Sequence, residues 1–432
     1  MTDSETAQGT YVEPGEFRRD TNYITTRITA DGRDGYPVEP DRYRLVAARA
    51  CPWANRTLIA RRLLGLESVI SLGLCGPTHD KLSWTFDLDP GGVDPVLKIP
   101  RLRDAYLARF PDYPRGITVP AIVDVPTGRV VTNDYAQITL DFSLEWTEYH
   151  RDGAPQLYPE ALRAEIDEVN ARVFREVNNG VYRCGFAGAQ EAYDDAYDRL
   201  FTALDWLSDR LTGQRYLVGD TITEADIRLF TTLARFDPVY HGHFKCNRSK
   251  LSEMPVLWAY ARDLFQTPGF GDTIDFAQIK DHYYKVHTDI NPTRIVPKGP
   301  NLTNWLAPHG RESLGGRPFG DGTPPPPPVP AEMVVEARLA VSASKAHEPK
   351  ARVSRPKRRD QGGLNPARAS APKTQHLHEQ AHNPPSRASP HRTSTNEQLP
   401  APPHLSPQRP PFNRTCTTVQ QNLRASRNRG KG

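Results

Sequence analysis

Residues 41–65 read DRYRLVAARACPWANRTLIARRLLG. The first eight alternate and carry aromatic and β-branched members, so they predict a strand; WANRTLIARRLLG over 53–65 has apolar residues at helical spacing and predicts a helix. Cys51-Pro52 stands at the junction. Proline suits a first helical turn, where its missing N–H leaves no bond unmade. That seats the Cys51 sulfur beside unbonded amides at the positive end of the helix dipole, an arrangement that favours thiolate over thiol. Cys51 is therefore the candidate nucleophile. Cys75, in the apolar run VISLGLC, reads instead as a buried structural thiol.

Working outward, Cys51-Pro52-Trp53-Ala54 resembles a thioredoxin-type C-P-x-C motif whose second cysteine is absent. Without a resolving thiol, a mixed disulfide at Cys51 needs an external thiol to clear it, so monothiol chemistry is expected. Downstream, TVPAIVD over 118–124 reads as a loop entering a strand, and GRVVTND over 128–134 as the returning strand of a hairpin. In thioredoxin-like folds a cis-proline preceded by an apolar residue sits at such a loop, and the freed backbone pairs with a thiol peptide. Val119 and Pro120 occupy those positions, with an ordinary turn proline as the other reading. From about residue 157 to 300 the apolar period turns helical, and Thr223 with Asp226 resembles an N-terminal capping box. The pattern predicts an extension over 1–40, a thioredoxin-like α/β domain over 41–150 and an all-α domain over 155–315.

The chain has 432 residues, 37% of them hydrophobic, enough for a packed core of ordinary size. No run of about 18 apolar residues occurs, and the N-terminus has neither a basic nor an apolar leader region, so a membrane span and secretion are not expected. Five widely spaced cysteines argue against a disulfide framework and for reduced thiols in a cytoplasm. Charge is divided: residues 1–315 hold 36 Lys+Arg against 44 Asp+Glu, a net −8, whereas 316–432 hold 19 against 7, a net +12. The basic segment also carries 20 of the 41 prolines and no lasting period, so it is expected to be a disordered tail from residue 316 onward. A polyproline ligand for an SH3-like partner and a basic arm on nucleic acid are its functional readings. A solvated extension is the plainer one, and nucleic acid is not an expected partner.

A thioredoxin-like half followed by a helical half resembles the glutathione transferases. The blocks ACPWANRTLI, SWTFD, GVYRCGFA, ITEADIRLF, FDPVYHGHFKCN and HYYKVHTDINPTRIVPKGP together resemble the glutathionyl-hydroquinone reductases, the Xi-class glutathione transferases, over about residues 11–316. The resemblance implies reductive removal of glutathione from glutathionyl-hydroquinones, with glutathione as co-substrate and a homodimer as the usual assembly. It implies that the Cys51 thiolate attacks the thioether sulfur, that the ring carbon takes a proton, and that a second glutathione frees Cys51 from the mixed disulfide. It also implies that Trp84 flanks the thiol peptide, that Val119 and Pro120 meet its backbone, and that Tyr182 with Tyr284 hold or protonate the hydroquinone. Tyr283 is adjacent to Tyr284, which leaves the assignment between them open, and Tyr240 is a third pocket candidate.

One departure concerns the thiol. Family members read Asn-Glu-Ser at the end of the fourth strand, where the Glu-Ser pair receives the γ-glutamyl group; this chain reads Asn133-Asp134-Tyr135. Asp134 keeps a carboxylate, but Tyr135 offers no short hydroxyl. A sugar-based thiol such as mycothiol is therefore the alternative co-substrate. Arg115 and Arg56 are candidate anion partners. His241, His243 and Cys246 have donor spacing but lack a fourth ligand, so packing is the reading and no metal is expected. Three classes compete: a thiol-dependent reductase, a conjugating transferase that activates the small thiol itself, and a non-catalytic scaffold.

Overall fold

The computed structural model describes residues 11–334 apart from residue 13. Strand β1 (Tyr43–Ala47) runs straight into helix α1 (Pro52–Leu64), with Cys51 as the residue capping the helix and Pro52 in its first turn. Gly65 ends α1 with φ 75°, a left-handed conformation that glycine adopts without steric cost, and its N–H closes on the Arg61 and Arg62 carbonyls. All of α1 is buried, because it packs between α3 (Tyr135–Leu144) and α7 (Glu224–Leu233). Its leucines and Ile59 each contribute about 1.5–3 kcal/mol by leaving water. The helix therefore has no solvent face, and its three arginines must find partners inside the protein.

The sheet has order β2-β1-β3-β4, with β2 (Ile70–Leu74) parallel to β1 and both β3 (Ala121–Asp124) and β4 (Arg129–Thr132) antiparallel to their neighbours. Leu45 on the central strand β1 lies opposite Leu72 on one side and Ile122 on the other. Helix α2 (Leu102–Arg109) precedes β3 and packs on β4. The hairpin β3–β4 delivers the chain to the start of α3, where Asp134 accepts a bond from the Gln137 amide.

The second half is helical: α4 (Arg163–Arg172), a π-helical turn over Val173–Asn178, α5 (Gly180–Gly185), α6 (Gln190–Thr212), α7, α8 (Pro255–Gln266) and α9 (Phe276–Val286). The expected capping box is present at α7: the Thr223 amide donates to Asp226, and the Thr223 hydroxyl accepts from the Ala225 amide. Asp226 also accepts from the Leu217 amide and the Tyr260 hydroxyl, which makes it a buried hub of the helical half. The halves are joined at Arg235, fully buried, whose guanidinium donates to the carbonyls of Arg49 and Ala50 and to the Asn55 side chain.

Both ends of the described chain pack on the body, and the C-terminal one does so beyond the expected start of the tail. The N-terminal extension packs against β4: the Ile24 amide donates to Asn133, and the Thr132 hydroxyl donates to the Ile24 carbonyl. At the other end, the chain does not leave the body at residue 316. Arg317 donates to the Asp220 carbonyl, Thr323 to the Gly153 carbonyl, and Val334 is buried. The reason lies in α1: Arg62 donates to the Pro326 carbonyl, and Arg61 grips both carboxylate oxygens of Glu332 at 2.9 and 3.1 Å. Residues 317–334 thus supply acceptors for arginines that a fully buried helix cannot turn to water. Residues 335–432, on which the rest of the expected tail falls, lie outside the described residues.

Candidate active site

The strand-to-helix junction opens into a cavity of about 590 Å³ bounded by both halves and by the N-terminal extension. Cys51, half-buried, lies on its wall, and its Sγ–H faces the Val119 carbonyl at 3.5 Å. Val119 precedes Pro120 through a cis peptide bond. Trp84 lines the cavity with its ring stacked on His282 at 5.1 Å.

The sequence leads one to expect a depressed Cys51 pKa, and the structure corrects that for the free protein. Burial pushes the thiol up; the Ala54 and Trp53 amides of the first helical turn, and then the Arg235 and Arg19 guanidiniums, pull it down without cancelling the burial. At rest the sulfur keeps its proton more firmly than an ordinary cysteine. Cys75, Cys184 and Cys246 are more deeply buried.

In the helical half, three tyrosine hydroxyls meet. Tyr182 and Tyr283 share a hydrogen bond of 2.6 Å, and Tyr283 and Tyr240 one of 2.9 Å. Tyr182 and Tyr283 line the cavity, and Tyr240 supports them from behind. Burial raises all three pKa values, so the hydroxyls are neutral and can donate. Tyr284 is not part of this group. Its hydroxyl faces the Pro238 carbonyl at 3.4 Å and its ring packs on His243, because on a helix adjacent residues point about 100° apart and α9 turns Tyr283 inward.

The remaining expected residues are dispersed. Arg115 pairs with Asp20 at 2.6 Å on the surface, and Asp134 is occupied as the cap of α3; neither lines the cavity. Arg56 is buried beneath Trp53 and Tyr135, donating to Asn178. Tyr135 itself faces the cavity, packed on Trp53 at 4.6 Å and Tyr23 at 5.4 Å, and so fills the start of α3 with a ring. His243 bonds His287 at 3.2 Å, and among the described residues no cluster of donors suits a metal ion.

Sequence reasoning missed one wall. Tyr11, Phe17, Arg19 and Tyr23 of the extension line the cavity, as do His79, His282 and His287. The signal available was three aromatic residues at a spacing of six, Tyr11, Phe17 and Tyr23, in an otherwise polar stretch.

A thioredoxin-type sheet with a cysteine at its first helix, closed by a helical half across a shared cleft, defines a glutathione transferase. The model of the glutathione S-transferase N-terminal domain matches residues 50–141, and that of the C-terminal domain matches residues 190–263. Glutathionyl-hydroquinone reductase YqjG of Escherichia coli is 42% identical over 69% of this chain and 93% of its own, and glutathionyl-hydroquinone reductase PcpF of Sphingobium chlorophenolicum is 43% identical over 62% and 85%. A crystal structure of a glutathione transferase from Gordonia bronchialis superposes with a TM-score of 0.72 at 82% identity, covering 72% of this chain and 98% of that one. The glutathione-bound structure of YqjG superposes with a TM-score of 0.64 at 41% identity, covering 67% and 96%. The chain belongs to the Xi-class glutathione transferases, the family of the glutathionyl-hydroquinone reductases, and is an enzyme of glutathione-dependent reductase or transferase chemistry. No helix among the described residues is long and apolar enough to cross a membrane.

Proposed function

We propose that this enzyme removes glutathione from glutathionyl-hydroquinones by a monothiol route through Cys51. The observation that carries the reading is the placement of one accessible cysteine, capping α1, in the same cavity as the neutral Tyr182–Tyr283 hydroxyl pair. In the first step the Cys51 sulfur attacks the thioether sulfur, the carbon–sulfur bond breaks, and the ring carbon takes a proton. The products are the hydroquinone and a Cys51–glutathione disulfide. The thiol proton of Cys51 balances the proton gained by the ring, so a resting thiol suits the stoichiometry. In the second step glutathione attacks that disulfide, returning the Cys51 thiol and releasing oxidised glutathione.

The residues divide the work. Val119 and Trp84 hold the thiol peptide; when the peptide N–H takes the Val119 carbonyl, the Cys51 S–H loses its acceptor and ionisation becomes easier. Tyr182 and Tyr283 donate to the ring oxygens and pass the proton. A second reading keeps this chemistry with a sugar thiol of the mycothiol type, and the ring of Tyr135 at the γ-glutamyl position is what favours it. Reduced thiols at four described cysteines fit a cytoplasmic setting, and a homodimer is the assembly proposed by resemblance to the family. Cys51→Ser tests the reading against its rivals: it is expected to abolish reduction, whereas a conjugating transferase would retain much of its activity and a scaffold would have shown none to lose.

A further inference from the structure

Arg19 contacts neither co-substrate nor hydroquinone in the scheme above. It comes from the N-terminal extension, lines the cavity, and lays its guanidinium over the rings of Trp53 and Tyr182 at 4.5 Å each. Its Nε donates to Asn179 at 2.7 Å, but Nη2 meets no acceptor among the described residues, and no carboxylate there forms an ion pair with it. The two nearest acids in sequence are engaged elsewhere, Asp20 with Arg115 and Glu16 with Arg183. A fixed planar cation without a counter-ion, on the wall of a cavity, is a site for a carboxylate.

Its position says which carboxylate. Trp53, on which Arg19 lies, also packs on Tyr135, the residue that fills the start of α3, where the family resemblance implies the γ-glutamyl end of glutathione. We propose that Arg19 recognises the carboxylate of the small thiol, taking over the contact that Tyr135 cannot make. The co-substrate class is then an anionic thiol peptide of the glutathione type rather than a neutral sugar thiol. This rests on the Cys51 route proposed above.

The test uses thiol–disulfide exchange at Cys51 in the full chain. The Cys51 sulfur attacks one sulfur of a small disulfide, the disulfide bond breaks, and one small thiolate leaves. Rates are measured with oxidised glutathione and with uncharged bis(2-hydroxyethyl) disulfide, for the natural protein, Arg19→Gln and Arg19→Lys, with thermal unfolding to show that the variants fold. The preference for oxidised glutathione is expected to fall at least tenfold in Arg19→Gln and to be partly restored in Arg19→Lys. A preference unchanged by Arg19→Gln, or equal losses with both disulfides, overturns the assignment, the latter because it would place Arg19 on the sulfur and not on the peptide. If Cys51 of the natural protein exchanges with neither disulfide, the Cys51 route falls as well, and the two failures are thereby told apart.

Discussion

Tyr182 and Tyr283, 101 residues apart in sequence, bring their hydroxyl groups to 2.6 Å of each other in the cavity that Cys51 also lines. Tyr284, the neighbour of Tyr283, is turned away toward His243. The proton-donating role proposed for the hydroquinone step is therefore assigned to the first pair. Tyr182→Phe or Tyr283→Phe is expected to lower kcat for dethiolation by about 100-fold or more, the size of a lost general acid. Tyr284→Phe is expected to leave it within about twofold, as for a side chain without a part in the transition state. Steady-state rates of the three variants check this, and a loss at Tyr284 equal to that at Tyr283 would contradict it.

The C-terminal segment is expected to be part of the stable body. Glu332→Gln removes the counter-charge of buried Arg61, and the cost expected is about 2 kcal/mol, below the range for a fully buried pair because Glu332 is partly exposed. Chain truncation after residue 316 also takes the Pro326 carbonyl from Arg62 and is expected to destabilise further. Urea midpoints measure both, and limited proteolysis is expected to leave a core that includes Val334. Release of a core ending near 316 with unchanged stability would contradict the packing.

Acid is expected to weaken the fold before the carboxylates titrate. Burial holds His243 down at about 4 and His282 at about 3, with Lys245 and His79 respectively adding repulsion. Both lie below the ordinary value of about 6.5, so between these limits the unfolded chain binds more protons than the folded one. Stability is therefore full above about pH 6.5 and declines as the pH falls toward the folded values, with each ring costing about 2 kcal/mol at pH 5. Urea midpoints at pH 7.5 and pH 5 are expected to show the loss, and His282→Gln to reduce it. Equal midpoints at both pH values would refute the assignment.

The resting thiol is expected to titrate above an ordinary cysteine, since burial outweighs the amides of Trp53 and Ala54. The pH profile of iodoacetamide labelling at Cys51, followed by peptide mass spectrometry, reads this directly. Arg19→Gln is expected to move the profile further up, because it removes one of the cations that pull the value down. A downward shift would contradict the electrostatics described.

Local pattern made the site's frame legible. The alternation before Cys51 and the helical spacing after it mark β1 and α1, and Thr223 with Asp226 marks the start of α7, because each signal lies within a few residues. What depends on distant packing was not legible. The burial of Arg61 and Arg62 depends on a segment more than 260 residues away that supplies their acceptors, and the sulfur's environment could not be weighed because helix-start amides are visible in sequence whereas burial is not. The choice between Tyr283 and Tyr284 required the azimuth of α9, which adjacent aromatic residues leave ambiguous. Arg19 reaches the site through contacts between segments far apart in sequence, Ile24 with Asn133 and Arg19 itself with Asn179.

Cys51 itself is expected to take the glutathione. Mixing the protein with one equivalent of a glutathionyl-hydroquinone and no free thiol, then recording the mass of the intact chain and its peptides, tests it most directly. One glutathione bound at Cys51 for each hydroquinone released is the predicted result. Hydroquinone released with no adduct on Cys51, or released equally by Cys51→Ser, would contradict the account.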